Sequence, residues 1–196
     1  MNKTRLEAFS DGVLAIIITV MLLEMKVPKG SHISDLRPVL PVFITYILSY
    51  ANIGIYWNNH HHMLHAATSI NAKVMWANTH LLFWLSLIPF ATGWMGENQF
   101  STWPVALYGF VLFMSGLAYS ILAATLTLSI SIAGGARKAK LSQLLYFIAI
   151  ILAFINPWIS LAIYGLVAAM WFIPDPRIER RLAEEAKNNS NLMRKD

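Results

Sequence analysis

The stretch Val13-Leu14-Ala15-Ile16-Ile17-Ile18-Thr19-Val20-Met21-Leu22-Leu23 decides the fold class. It carries no charge and a single hydroxyl, Thr19. With its flanks from Ala8 to Met25 it approaches the roughly 20 predominantly apolar residues that carry a helix across a bilayer. Pro28, Lys29 and Gly30 end it. Asp11 near its start, Glu24 at its end and the lack of a small-residue cleavage site mark it as a retained helix rather than a cleaved leader.

The rest of the chain agrees. Of 196 residues, 57% are apolar and only 13% charged, about half the charge of an ordinary soluble domain. Mean hydropathy is +0.53. Apolar segments recur, and the sequence predicts an all-α integral membrane protein with helices at 5–26, 37–62, 72–96, 103–131, 140–155 and 157–173. The fourth segment is expected to break at Gly134-Gly135. The last two come from one uncharged stretch, Leu141 to Pro174, divided at Asn156-Pro157, where the proline removes a backbone donor and disfavours helix in the residue before it. Residues 1–176 therefore read as one six-helix unit, and 177–196 as a short charged cytoplasmic tail.

Charge placement gives the orientation. With both termini cytoplasmic, all of the 15 Lys and Arg residues except Lys26, Lys29 and Arg37 fall on the inner side. That asymmetry is the positive-inside pattern of a multi-pass protein of the cell membrane. The net charge of +5 sits between and after the apolar segments, beside lipid headgroups, so nucleic acid is not the expected partner. Without cysteine, disulfides and thiolate chemistry are excluded. No phosphate-binding glycine loop or dinucleotide fingerprint is present, and Asp11 and Glu24 lie about 20 Å apart along one helix, too far to act as an acid/base pair. An enzyme is not expected.

Ionisable groups at membrane depth are costly and need partners. Ser10 and Asp11 suit a helix start, as a cap and a dipole partner. Further on, Ile16, Thr19, Val20 and Leu23 form one stripe at i, i+3, i+4 and i+7, with Asp11 well off it. Such a stripe faces lipid, neighbouring helices or a pore, and periodicity alone leaves all three open. At the cytoplasmic ends, Arg5, Ser10, Asp11, Trp57, His61, Asn78 and His80 share one depth, and we expect a hydrogen-bond network joining the first three helices. His60, His61, His62 and His65 lack a carboxylate partner in metal-site spacing, so no metal and no cofactor are assigned. A pH-sensing role for these histidines stays open.

The string Arg5-Leu6-Glu7-Ala8-Phe9-Ser10-Asp11-Gly12 resembles the signature that opens the first helix of the transmembrane protein 175 family. Tyr56-Trp57-Asn58-Asn59-His60-His61 resembles the end of that family's second helix. Trp76-Ala77-Asn78 and Leu87-Ile88-Pro89-Phe90-Ala91-Thr92 resemble its third. The resemblance implies a homotetrameric, potassium-permeable channel whose first helices line a central pore, with no re-entrant filter loop of the Thr-Val-Gly-Tyr-Gly type. By position it implies pore rings at Ile16, Val20 and Leu23, with Thr19 the polar ring among them. Arg5, Phe9, Ser10, Asp11 and Gly12 then belong to the structural signature. Potassium would be preferred over sodium modestly, through easier dehydration at an aliphatic constriction. The alternatives are a proton-coupled transporter or a proton-permeable channel.

Overall fold

The computed structural model describes residues 3–65, 67, 69–126 and 133–172, with only the backbone of 133–136. Among the described residues there are seven α-helices: α1 (Lys3–Leu23), α2 (Leu40–His65), α3 (Ala72–Ser86), α4 (Ile88–Glu97), α5 (Thr102–Thr125), α6 (Ala133–Leu152) and α7 (Pro157–Phe172). A 3-10 turn at Ile33–Leu36 sits between α1 and α2. The tail 177–196 and the end of the fourth predicted helix lie outside the described residues.

Among the described residues, four helical stretches are long and apolar enough to cross a membrane: Lys3–Leu23, Leu40–His65, Ala72–Glu97 and Thr102–Thr125. The last predicted pair differs. α6 is 20 residues long but opens with Arg137, Lys138 and Lys140, and α7 is an apolar helix of only 16 residues. The chain does turn between them where Asn156 precedes Pro157, and the Asn156 side chain accepts from the Trp158 amide at 3.0 Å. Gly134-Gly135 is not the expected break. Both glycines are helical, inside the first turn of α6, because the Ala, Arg and Lys that follow favour helix strongly enough to carry the pair.

The third predicted helix is bent into two. Pro89 lies at the second position of α4, where a missing amide is tolerated but a continuous ladder from α3 is not. Asn71 caps α3, its side chain accepting from the Val74 amide at 3.0 Å. The α4–α5 turn places Gln99 and Phe100 at positive φ, 48° and 60°. The Phe100 amide closes back on the Met95 carbonyl at 3.0 Å. Phe100 is buried with its ring 5.0 Å from that of Trp158, and this packing offsets the left-handed backbone.

α5 is the hub, packed against α3, α4, α6 and α7, while α1 packs against α2, α3 and α4 at the rim. Several polar groups inside the bundle pair across helices. Ser49 of α2 bonds Thr92 of α4 at 2.6 Å and Tyr108 of α5 at 3.0 Å. Tyr164 of α7 donates to the Val105 carbonyl at 3.2 Å, its ring seated over Gly109. In a bilayer, where apolar burial between helices drives little, such bonds and close small-residue approaches hold helices together. At Gly96 the approach is by backbone, with α2 at Val42 lying against it.

Candidate functional site

The two faces of α1 have different fates. Leu6, Ser10, Leu14, Ile17 and Met21, spaced every three or four residues, are buried against the rest of the chain. The opposite stripe is not. Ile16 is 63% exposed and Leu23 77%, against 2% for Leu14 and 4% for Ile17. Phe9, Gly12, Thr19 and Val20 are exposed on the same side. Thr19 folds its hydroxyl back onto the Ala15 carbonyl at 2.8 Å, which satisfies the donor and leaves oxygen lone pairs outward.

At the Lys3 end of α1 the structure brings four of the predicted network residues into two separate contacts, Ser10 with Asn78 and Asp11 with Trp57, and adds one residue that sequence reasoning missed. Asn78 of α3 donates from Nδ2 to Ser10 Oγ at 3.0 Å, and Ser10 passes its own proton to the Leu6 carbonyl at 2.9 Å. On its other side Asn78 Oδ1 meets His60 Nε2 at 2.7 Å. Because Nδ2 is committed to Ser10, Oδ1 accepts, and His60 must carry its proton on Nε2. Ser10, Asn78 and His60 are all buried. They tie α1, α3 and α2 together in one line.

His61, the expected member, is not in this line. One residue further round α2, it is exposed and stacks between Trp57 and His65, with ring centroids at 6.3 and 6.2 Å. A step of about 100° per residue separates these two faces. His60 could have been found by testing which histidine shares a helical face with buried Ile53 and Leu64. Asp11, another expected network member, also lies outside this line. It is exposed and accepts from the Trp57 indole nitrogen at 3.0 Å, a second α1–α2 tie outside the buried line. Arg5 is exposed and has no hydrogen bond or ion pair among the described residues. His80 pairs within α3, accepting from Trp84 Nε1 at 2.9 Å. No group of three or more His, Cys, Asp or Glu capable of holding a metal occurs among the described residues.

At the far end of α1, Glu24 lies against Gly93 of α4. Partial burial and the neighbouring Glu97 carboxylate push its pKa up. Lys26 pairs with Glu97 at 2.6 Å and is itself pushed up by that hydrogen bond and charge. The pair is exposed and screened, so it positions rather than stabilises.

A bundle whose helices present unbroken apolar surfaces, and whose first helix is packed on one side only, defines an all-helical, multi-pass membrane protein. Comparison with known proteins narrows the class. The profile of the family described as Endosomal/lysosomal potassium channel TMEM175 matches residues 5–89. A protein of Chryseobacterium sp. named as a potassium channel is 49% identical over 194 residues, covering 94% of this chain and 100% of that one. Another so named, from Streptomyces collinus, is 32% identical over 187 residues, 86% of this chain and 91% of that one. The crystal structure of a lysosomal potassium-selective channel TMEM175 homolog from Chamaesiphon minutus superposes with a TM-score of 0.78 at 26% identity, over 86% of this chain and 95% of that one. The chain belongs to the TMEM175 family.

Proposed function

We propose that the chain is one subunit of a homotetrameric, potassium-permeable channel of the cell membrane, with the exposed stripe of α1 facing a shared axis. The observation that carries this reading is the uncovered aliphatic face at Ile16, Val20 and Leu23, in a chain similar along nearly its whole length to a protein named as a potassium channel. One helix cannot enclose a path, so several copies must ring an axis, and closed cyclic symmetry is the usual solution.

In such a ring, Ile16, Val20 and Leu23 form successive aliphatic collars with Thr19 the polar layer between them. A narrow apolar collar excludes water, and an ion passes only by shedding part of its hydration shell. Potassium sheds water more readily than sodium, which gives a modest preference without coordinating oxygens. The line Ser10–Asn78–His60 and the bond from Trp57 to Asp11 hold α1 at a set angle to α2 and α3. Counting α6 and α7 as crossings brings the total to six and both termini to the cytoplasmic side, a count supported by the turn at Asn156-Pro157 and the basic residues that open α6.

Purified protein in liposomes, under separate K⁺, Na⁺ and H⁺ gradients, tests this. Flux of K⁺ that needs neither ATP nor a counter-ion is expected, with Na⁺ slower. Ile16→Asn wets the collar and is expected to raise the current and reduce the K⁺ preference. Unchanged permeation in that variant removes Ile16 from the pore, and an obligatory exchange stoichiometry with protons makes the protein a transporter instead.

A further inference from the structure

Tryptophan joins an apolar ring to one N–H that needs an acceptor. Trp84, at the middle of the Ala72–Glu97 span, gives its N–H to His80 at 2.9 Å, and Trp171 gives its own to Ser142 Oγ at 2.8 Å. Trp103 and Trp158 are placed otherwise. Each is the second residue of its helix, α5 and α7, and they are 69% and 62% exposed. The Trp103 ring stands edge-on to Phe154, in the α6–α7 turn, with centroids 5.0 Å apart. Trp158 lies 5.0 Å from Phe100, in the α4–α5 turn. These reciprocal contacts put the α4–α5 and α6–α7 turns at one end of the bundle. Neither turn carries charge: residues 98–104 and 153–159 hold no Asp, Glu, Lys, Arg or His.

Depth follows from the neighbouring helices. Trp76 and Trp94 are exposed on the α3–α4 span, 18 residues apart, or about 27 Å at about 1.5 Å per residue. That is close to the roughly 30 Å of a bilayer's hydrocarbon core. Trp94 lies in the last turn of α4, directly before the α4–α5 turn. α6 gives a similar interval: Arg137 and Lys140 are exposed near its start, and from Arg137 to Leu152 it rises about 23 Å. Long basic side chains cover the remaining distance to the headgroups. A largely exposed indole is ill placed in water, which its ring avoids, and in hydrocarbon, which offers its N–H nothing; the layer between serves both. We propose that Trp103 and Trp158, braced by Phe154 and Phe100, seat in the carbonyl and headgroup layer of one leaflet, donate to phospholipid ester oxygens, and hold α5, α6 and α7 at a fixed depth. The platform is uncharged, so it accepts zwitterionic and anionic lipid alike. The inference rests on the six-crossing reading of α6 and α7, which it deepens, and is independent of where the ion path runs.

The chain has no cysteine, so Ile155→Cys, at an exposed site of the α6–α7 turn, carries a single nitroxide label with every tryptophan in place. The full chain in phosphatidylcholine liposomes is compared with Phe147→Cys, exposed near the middle of α6's apolar length. Depth is read from label collisions with oxygen, which concentrates in hydrocarbon, against those with a water-soluble nickel chelate. The Ile155 label is expected at the level of the ester carbonyls, with an oxygen-to-nickel ratio severalfold below that of the Phe147 label. Adding Trp103→Leu and Trp158→Leu removes both N–H groups and is expected to sink the Ile155 label, raising its ratio severalfold. Each single substitution is expected to give part of that shift, so the result stands if the double variant proves unstable. An Ile155 label deep in hydrocarbon, one fully open to nickel, one shielded from both reagents by a second copy, or one that the Leu variants leave unmoved overturns the proposal. Carbonyl-level labels at both sites keep the platform and reject α6 as a crossing, and ion flux does not enter the measurement.

Discussion

Replacing Asn78 by Ala is the most direct probe of what holds α1 in place. Asn78 makes two buried side-chain bonds, to Ser10 at 3.0 Å and to His60 at 2.7 Å. The two partners are not left equally. Ser10 keeps the Leu6 carbonyl for its proton, so only the net value of one bond is lost there, about 0.5–1.5 kcal/mol. His60 is 3% exposed, and its Nε2–H would be stranded at about 1–3 kcal/mol. Asn78→Ala is therefore expected to cost about 2–4 kcal/mol. A double-mutant cycle with His60→Ala, followed by reversible unfolding in mixed micelles, isolates the pair. Its coupling is expected at about 1–2 kcal/mol, above the mean of about 0.6 for hydrogen bonds between membrane helices because the contact is short and buried on both sides. His61→Ala is the control, since that ring is exposed and stacks with Trp57 and His65 outside the buried line. A coupling indistinguishable from zero, or a larger loss for His61→Ala than for Asn78→Ala, refutes the reasoning.

Gly96→Ala would place a Cβ 2.6 Å from Val42 Cα, and since backbone cannot yield as a side chain does, a loss of about 1–3 kcal/mol is expected by thermal unfolding. Gly54→Ala meets nothing within 4 Å and, in mid-helix, is expected to be neutral or to stabilise by up to about 1 kcal/mol. Glu24 has its pKa raised by burial and by Glu97. A carboxyl raised on folding binds its proton more tightly in the native state, so stability falls as pH climbs from the ordinary carboxylate value through the raised one. Melting temperatures should therefore show Glu24→Gln gaining on the wild type at pH 7 but not at pH 4, and an equal difference at both would contradict the assignment. Asp11→Ala removes the acceptor of the Trp57 indole and is expected to weaken assembly, read by size-exclusion light scattering, more than it alters ion preference.

Much was legible because membrane residence writes itself into composition. A span must be apolar over its whole length, whatever it packs against, so the helical class and the first four spans follow from uncharged runs alone. The opening string and the histidine-rich end of α2 likewise carried the family resemblance in local order. What local order cannot convey is rotation and competition. His60 and His61 are adjacent and chemically identical, and only the seating of α2 on α3 decides that the first is buried and the second solvent-facing. Asp11 looked like a member of one shared network, yet it is exposed and meets one indole outside the buried line. Arg5 is likewise exposed, with no hydrogen bond or ion pair among the described residues. Gly134-Gly135 looked like a stop, and the helix-favouring residues after it overrode the pair.

From residue order alone came the apolar segments, their division at Asn156-Pro157, the charge asymmetry and the stripe on the first helix, all properties of one chain in contact with lipid or water. Tertiary packing alone decided which stripe of α1 is covered, which histidine meets Asn78, how closely α4 approaches α2 at Gly96, and that Trp103 meets Phe154 and Trp158 meets Phe100. The physical reason is one of range. Transfer into a bilayer is a sum over single residues and survives any arrangement of the helices, whereas a hydrogen bond or a close backbone approach exists only when two distant segments meet at one rotation and one depth.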